Sequence, residues 1–89
     1  MQRFEDKRLG KIDYLTKKVL EECDKQIVKH GLQNRTLIEW GSFLSEESGE
    51  VIKGINDLVY HNGSSEELFK ECIQTATLAL KIAEMMLND

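Results

Sequence analysis

Apolar residues recur every three or four positions along three stretches of this 89-residue chain, and no proline interrupts them. That spacing places apolar side chains on one face of an α-helix, whereas a half-buried strand needs strict alternation. Proline would break the hydrogen bonds of a helix, so its absence favours long uninterrupted helices. We therefore predict an all-α fold: a single domain over residues 1–89, built as an antiparallel bundle of three main helices.

Local start and stop signals predict where the first two helices lie. Asp13 is a suitable N-cap for the first helix, which should end before Gly31, and residues 1–12 should form a polar lead-in. The second helix should open at the capping box Thr36–Glu39 and run to about Tyr60.

The third helix should follow a short turn. His61, Asn62 and Gly63 supply the stop signal, and a second capping box, Ser64–Glu67, starts a helix that should reach about Leu87. Its apolar residues occupy most of its circumference, which two companion helices cannot cover. Because a chain of this length also makes only a marginal core, a homodimer or homotetramer should complete the bundle.

Charge and composition exclude several classes of function. The net charge of −4 disfavours a nucleic-acid binder, which would hold phosphates with a basic surface. No apolar run reaches transmembrane length, and the N-terminus lacks the apolar stretch of a secretory signal, so we expect a cytoplasmic protein without a membrane partner. Cys23 and Cys72 lack the spacing of metal ligands and are expected to be buried thiols.

Two pairs of oxygen-bearing side chains occur at helical spacing. Glu47 and Glu50 lie three residues apart on the second helix, and Glu71 and Gln74 do so on the third, so each pair shares one helix face. Hard cations such as Mg²⁺ take oxygen ligands, keep several waters and share the remaining positions with substrate phosphates. Two such helices packed face to face would form an oxygen cage for Mg²⁺, or for Mn²⁺.

The surroundings of two of these carboxylates strengthen the metal interpretation. On a helical wheel of about 100° per residue, Glu47 falls between Phe43 and Trp40, and Glu71 also falls among apolar residues. A carboxylate on an apolar face costs several kcal/mol unless it is paired or bound to a metal. Both glutamates therefore need a partner.

The hairpin of the second and third helices should bring the two pairs together. Facing positions in an antiparallel hairpin have residue numbers with a constant total, and the pairs Glu47/Gln74 and Glu50/Glu71 share one total. The four side chains are therefore expected to be level across the hairpin, although a turn centred near Gly63 would predict an offset of about 6 Å.

The acidic segments carry a family resemblance. Glu46-Glu47-Ser48-Gly49-Glu50 resembles the EExxE motif of the MazG-like all-α nucleoside triphosphate pyrophosphohydrolases, and Glu71-Cys72-Ile73-Gln74 occupies the position of their ExxD motif. The similarity, which is to short phage-type members, extends over Gln26–Gln33, Trp40, Leu44–Val51 and Glu71–Glu84.

The resemblance implies a helical bundle that binds Mg²⁺ through Glu47, Glu50, Glu71 and position 74, with the three glutamates as catalytic residues. It implies hydrolysis of a (deoxy)nucleoside triphosphate between the α and β phosphates, which releases a nucleoside monophosphate and pyrophosphate. The metal would neutralise charge on the triphosphate, and a nearby glutamate would help to activate water. Glu47 and Glu50 both suit that role, and spacing does not decide between them.

One position departs from the family pattern. Gln74 stands where the family has aspartate, so the cage has one negative charge fewer and should bind metal more weakly, although an amide oxygen can ligate a hard cation. The alternative function is a non-catalytic MazG-like module for oligomerisation or nucleotide sensing. Metal-dependent turnover separates the two hypotheses.

The candidate substrate-binding residues are Lys29, Gln33, Trp40 and Lys53. Gln33 lies in a loop within the region of resemblance and could contact the nucleotide. Lys29 has an alternative role at a helix C-terminus, where a cation favours the macrodipole. Lys53 could pair with Glu50 instead of phosphate, and Trp40 could pack in the core instead of stacking on a base.

Overall fold

The computed structural model describes the backbone of residues 2–31 and 34–87, and the side chains of residues 9–29, 31 and 34–87. Over these ranges the chain is helical and contains no strand. Three helices follow one another: α1 is Gln2–His30, α2 is Leu37–Tyr60 and α3 is Ser65–Met85. The prediction of an all-α fold with three main helices is confirmed.

The predicted start of the first helix is wrong. Helix α1 begins at Gln2, so residues 2–12 are helical rather than a lead-in, and Asp13 lies inside the helix rather than at its N-cap. Leu9 and Ile12 extend the three- and four-residue spacing of apolar positions backwards, and no proline stops the helix. The predicted end is confirmed: Gly31 follows the helix with a φ of 72°, and its N–H donates to the carbonyl of Ile27 at 2.7 Å.

Helix α2 begins and ends as its sequence predicts. The N–H of Glu39 donates to Thr36 Oγ1 at 3.1 Å, and the N–H of Thr36 donates to Glu39 Oε1 at 3.0 Å, which completes the capping box. These hydrogen bonds lower the pKa of Glu39. The bond from the backbone N–H of Thr36 makes the largest contribution. At the other end, the N–H groups of His61 and Gly63 both donate to the carbonyl of Asp57.

The turn between α2 and α3 is tight. A Cβ added at Gly63 would lie 2.8 Å from the carbonyl carbon of Asp57 and 2.9 Å from the backbone nitrogen of Leu58, so the close approach of the chain requires glycine. Ser64 then caps α3, because its Oγ accepts from the N–H of Glu67 at 3.2 Å.

Helix α3 is the centre of the arrangement. It packs against α2 and against α1, whereas the described parts of α1 and α2 do not pack on each other. Tyr14 lies against Phe69 near the start of α3, with ring centroids 6.4 Å apart, while Cys23 lies close to the charges of Lys81 and Glu84 near its end. Helix α1 therefore runs parallel to α3, and α2 runs antiparallel to both.

The described residues bury little apolar surface. Val19 and Trp40 are the buried hydrophobic residues, and Thr77 is buried with its hydroxyl donating to the carbonyl of Ile73. The solvent-accessible surface is 7462 Å². A folded monomer of this size is expected to expose roughly 5,400 Å². The three helices thus leave broad apolar faces uncovered. No helix over the described ranges is long and apolar enough to span a membrane.

Candidate functional site

Two glutamates meet between α2 and α3. Glu47 on α2 and Glu71 on α3 are both half-buried, and their side chains interact directly. One oxygen of each carboxyl group, Oε2, is shielded from solvent and has no hydrogen-bond partner among the described residues. Burial raises the pKa of Glu47, and the adjacent Glu71 carboxyl raises that pKa further, because it would accept a hydrogen bond from a protonated Glu47 and because its charge disfavours a second carboxylate.

The local sequence explains why these two carboxyls are held together. Glu47 occupies the face of α2 that packs on α3. Two turns further along, Gly54 lets the helices approach closely, since an added Cβ would come within 3.1 Å of Leu68 Cδ1. Glu71 follows Leu68 by three residues on α3, so the close contact sets the register of the two acids.

Glu50 is placed differently from Glu47 and Glu71. Its side chain is exposed on the next turn of α2, yet its charge lies near enough to contribute to the raised pKa of Glu47. The closest acidic contact across the hairpin is Glu47 with Glu71, one turn away from the expected level pairing of Glu50 with Glu71. No three histidine, cysteine, aspartate or glutamate side chains form a metal-binding group among the residues that the structure describes.

A groove of about 840 Å³ begins at Glu47, one member of this carboxyl pair. Its walls are the second half of α1 and the first half of α2, and its floor is the second half of α3. Both Glu47 and Gln74 line it, so the amide predicted as a metal ligand faces the same space as the buried carboxyl. The remaining lining is mainly apolar: Leu20, Cys23, Ile27, Trp40, Phe43 and Leu78.

Two cations that sequence reasoning missed line the groove. Lys81 Nζ lies 6.0 Å from the centroid of the Trp40 ring, and Arg35 lies 4.8 Å from the centroid of Phe43. Lys81 follows Glu71, Gln74 and Leu78 at three- and four-residue steps, so the α3 pattern did contain a signal for it. Arg35 lies before α2, where no helical period applies.

The predicted substrate-binding residues fall into three groups. Trp40 lines the groove but is only 8% exposed, so it also serves as core. Lys29 and Lys53 are exposed and are not part of the described groove lining. Gln33 lies outside the described residues.

The groove is acidic overall. Four glutamates, Glu22, Glu46, Glu47 and Glu84, line it against two cations, Arg35 and Lys81. Each cation is also close to a carboxylate: Lys81 lies 3.8 Å from Glu84, and Arg35 lies 3.8 Å from Glu39. A highly charged anion would therefore be repelled unless a cation accompanied it.

The carboxyl pair fits a hard divalent cation. Two buried carboxylate oxygens without a described partner need either a shared proton or a positive charge between them, and Gln74, which lines the groove with Glu47, can offer a neutral amide oxygen. Mg²⁺ in proteins is often held by one or two carboxylates, with waters and substrate phosphates completing its shell. Glu47, Glu71 and Gln74 supply two carboxylates and one amide, which is a donor set suited to Mg²⁺.

Fold and site together define an all-α protein with a half-buried pair of carboxyls, of which Glu47 lines one end of a mainly apolar groove with an acidic balance of charge. Comparison of the chain with models of protein families, with curated proteins and with solved structures found no match.

Proposed function

We propose that this protein is a Mg²⁺-dependent nucleoside triphosphate pyrophosphohydrolase of the MazG-like type, which cleaves a (deoxy)nucleoside triphosphate to the monophosphate and pyrophosphate. The observation that carries the proposal is the contact of Glu47 with Glu71, each with a buried carboxylate oxygen that lacks a partner. These are the residues that the resemblance to the EExxE and ExxD motifs assigns to the metal.

In this proposal Glu47, Glu71 and Gln74 hold the cation directly, and Glu50 contributes from the exposed side. When bound, Mg²⁺ would neutralise charge on the triphosphate and polarise the α-phosphorus that is attacked. The acidic lining of the groove supports a metal-dependent reaction, because a triphosphate alone would meet four glutamates and only two cations.

The glutamates would also handle the proton of the attacking water. Hydrolysis joins a water oxygen to the α-phosphorus, breaks the bond from that phosphorus to the bridging oxygen, and leaves one proton to be taken up. Glu47 is one candidate for this base, because its carboxyl would lie beside the metal and the attacking water; its raised pKa describes the metal-free pair, since a bound cation would favour the charged form. Glu50 is the second candidate for the base.

The rest of the groove suits the nucleoside. Its volume of about 840 Å³ lies within the range of small-molecule sites. Trp40 lies seven residues before Glu47 on the same helix, which corresponds to about 10 Å along its axis. A triphosphate at the carboxyl pair would therefore place its base against the aromatic end of the groove, where Lys81 and Arg35 can donate hydrogen bonds.

The decisive experiment measures pyrophosphate release from canonical and modified nucleoside triphosphates with Mg²⁺ or Mn²⁺. We expect metal-dependent release that falls by at least about 100-fold in Glu47→Gln and in Glu71→Gln, since each removes a charged ligand. Glu66→Gln, which makes the same change at an exposed position at the start of α3, should retain activity.

The same assay tests the aromatic end of the groove. Lys81→Met should raise the KM by about tenfold, because it removes one donor from the nucleoside subsite. Lys70→Met is the matched control, since Lys70 is exposed beside Glu67. An unchanged KM in Lys81→Met would remove Lys81 from the subsite.

The second candidate function is a nucleotide-binding module without turnover. Gln74 at the aspartate position and the exposed Glu50 favour it, because both weaken the metal cage. Nucleotide binding by calorimetry, with no pyrophosphate released from any substrate by folded protein, would establish the module and reject the enzyme.

A further inference from the structure

A second apolar surface runs along α2, separate from the groove. Seven residues follow one another along α2 at alternating steps of three and four residues. This is the heptad spacing of a helix that packs on another helix. We call them the outer stripe: Ile38, Gly41, Ser45, Ser48, Ile52, Ile55 and Val59.

Six of the seven residues of the outer stripe are exposed, and Ser48 is half-buried. The large side chains of the stripe are open to solvent, with Ile38 83%, Ile52 61%, Ile55 46% and Val59 63% exposed. A Cβ added at Gly41 would meet nothing within 4 Å. None of the seven residues lines the groove, so a partner on this stripe would leave the candidate site open.

The stripe changes in size along the helix. After Ile38 at its start, the stripe carries the small residues Gly41, Ser45 and Ser48, and then the large residues Ile52, Ile55 and Val59. If a second α2 lies antiparallel, one register sets Gly41 against Val59, Ser45 against Ile55 and Ser48 against Ile52. The residue numbers of each pair have the same total, so all three pairs form in one register. In each pair, which we call a layer, a large side chain lies opposite a small one.

We propose that two copies of this chain pair through the outer stripes of their α2 helices, antiparallel and in this register. The arrangement is two-fold symmetric, so one patch serves both subunits. A parallel pair would set the isoleucines against each other and leave the small residues facing a void.

The chemistry of the surface and the area left exposed both favour a second copy. No charged residue lies in the stripe or at its flanking positions Ser42, Gly49 and Asn56, so the surface offers nothing to a charged peptide or a nucleic acid. The chain exposes 7462 Å². The excess over a compact monomer of this size is roughly 2,000 Å², whereas a stable interface needs roughly 800 Å² from each partner. The pairing does not depend on the proposed catalysis.

Sedimentation equilibrium over a concentration series measures the pairing in the wild-type chain. We expect a dimer, or a larger even-numbered assembly that contains it. Ile55→Lys should weaken the pairing by about 100-fold or more, because two buried isoleucines are lost per dimer. Tyr60→Lys, an equally drastic change at an exposed α2 position outside the stripe, should leave the assembly intact. Circular dichroism confirms that each variant keeps its helices.

A rescue experiment tests the register. Ser45→Leu should disrupt the pairing because leucine would collide with the partner's isoleucine in the same layer. Adding Ile55→Ala to Ser45→Leu should restore it, whereas adding Ile52→Ala should not. A wild-type monomer at all concentrations, or a dimer that survives Ile55→Lys, would overturn the proposal. If Ile52→Ala, and not Ile55→Ala, restored pairing in Ser45→Leu, the register would be wrong.

Discussion

At the scale of single residues, the contact of Glu47 with Glu71 is a cost that the fold carries. Each buried carboxylate oxygen has lost water without gaining a donor, and the raised pKa of Glu47 reports that cost. Natural sequences keep such costs mainly where function needs them.

The unfavourable burial of the Glu47 charge predicts how the effect of Glu47→Gln on stability changes with pH. A raised pKa in the folded state means that the folded chain keeps a proton that the unfolded chain has released. The free energy of unfolding therefore falls as pH rises from the usual glutamate value of about 4.3 through the higher folded value. A glutamine at position 47 does not titrate, so it adds no such pH dependence to the free energy of unfolding. Its amide group can donate a hydrogen bond to Glu71.

We expect Glu47→Gln to raise the free energy of unfolding by about 1 kcal/mol at pH 7 without metal, and by much less near pH 4. Urea denaturation at the two pH values measures the difference. Glu46→Gln, at the exposed neighbouring position, removes the smallest of the charges that raise the pKa of Glu47, so its effect should be much smaller than that of Glu47→Gln. Equal effects of Glu47→Gln at both pH values would show that burial of its charge is not the cause.

At the scale of elements, the ends of α2 and α3 could be predicted because their signals are local. A capping box involves residues three apart, and the structure forms it at Thr36 and Glu39 as the sequence indicates. The start of α1 could not be predicted in the same way. Asp13 has the chemistry of an N-cap, but the helix continues through it because Leu9 and Ile12 extend the helical spacing of apolar positions and no proline stops it.

Part of the candidate site could be predicted because helical spacing, like a capping box, is a local signal in the sequence. A helical wheel places Glu47 and Glu71 on apolar faces, and the structure brings these two together. Their pairing register depends on how tightly the turn at Gly63 closes and on the contact of Gly54 with Leu68, which act across the hairpin. Arg35 was missed because its contact with Phe43 joins a loop residue to a helix.

The turn itself gives a prediction about α2 and α3. Gly63→Ala would place a methyl group within 3 Å of backbone atoms of Asp57 and Leu58, so the turn would have to open. We expect a loss of about 2 kcal/mol in the free energy of unfolding. Gly10→Ala provides the contrast: its added Cβ meets nothing within 4 Å inside α1, so stability should rise by about 0.5 kcal/mol. Thermal denaturation of both variants distinguishes strain at the turn from a general effect of losing glycine.

At the scale of the whole molecule, the arrangement is more open than a compact domain. The radius of gyration is 15.2 Å. A compact chain of this length is expected to have a radius of about 12 Å. Helix α3 packs against both of its neighbours. Part of the apolar surface that remains lines the groove on one side of α2, and another part forms the outer stripe. One surface suits a small ligand, and the other suits a helix.

The described parts of α1 and α2 each rest on α3 and not on each other, which has a consequence for cooperativity. We expect helix α1 to detach as its own folding unit while the α2–α3 hairpin persists, so its amide protons should exchange with solvent first. A ligand in the groove would touch all three helices and join the two units into one. Amide exchange in α1 should then slow more than exchange in the hairpin, and the ligand would serve as the missing contact of the fold.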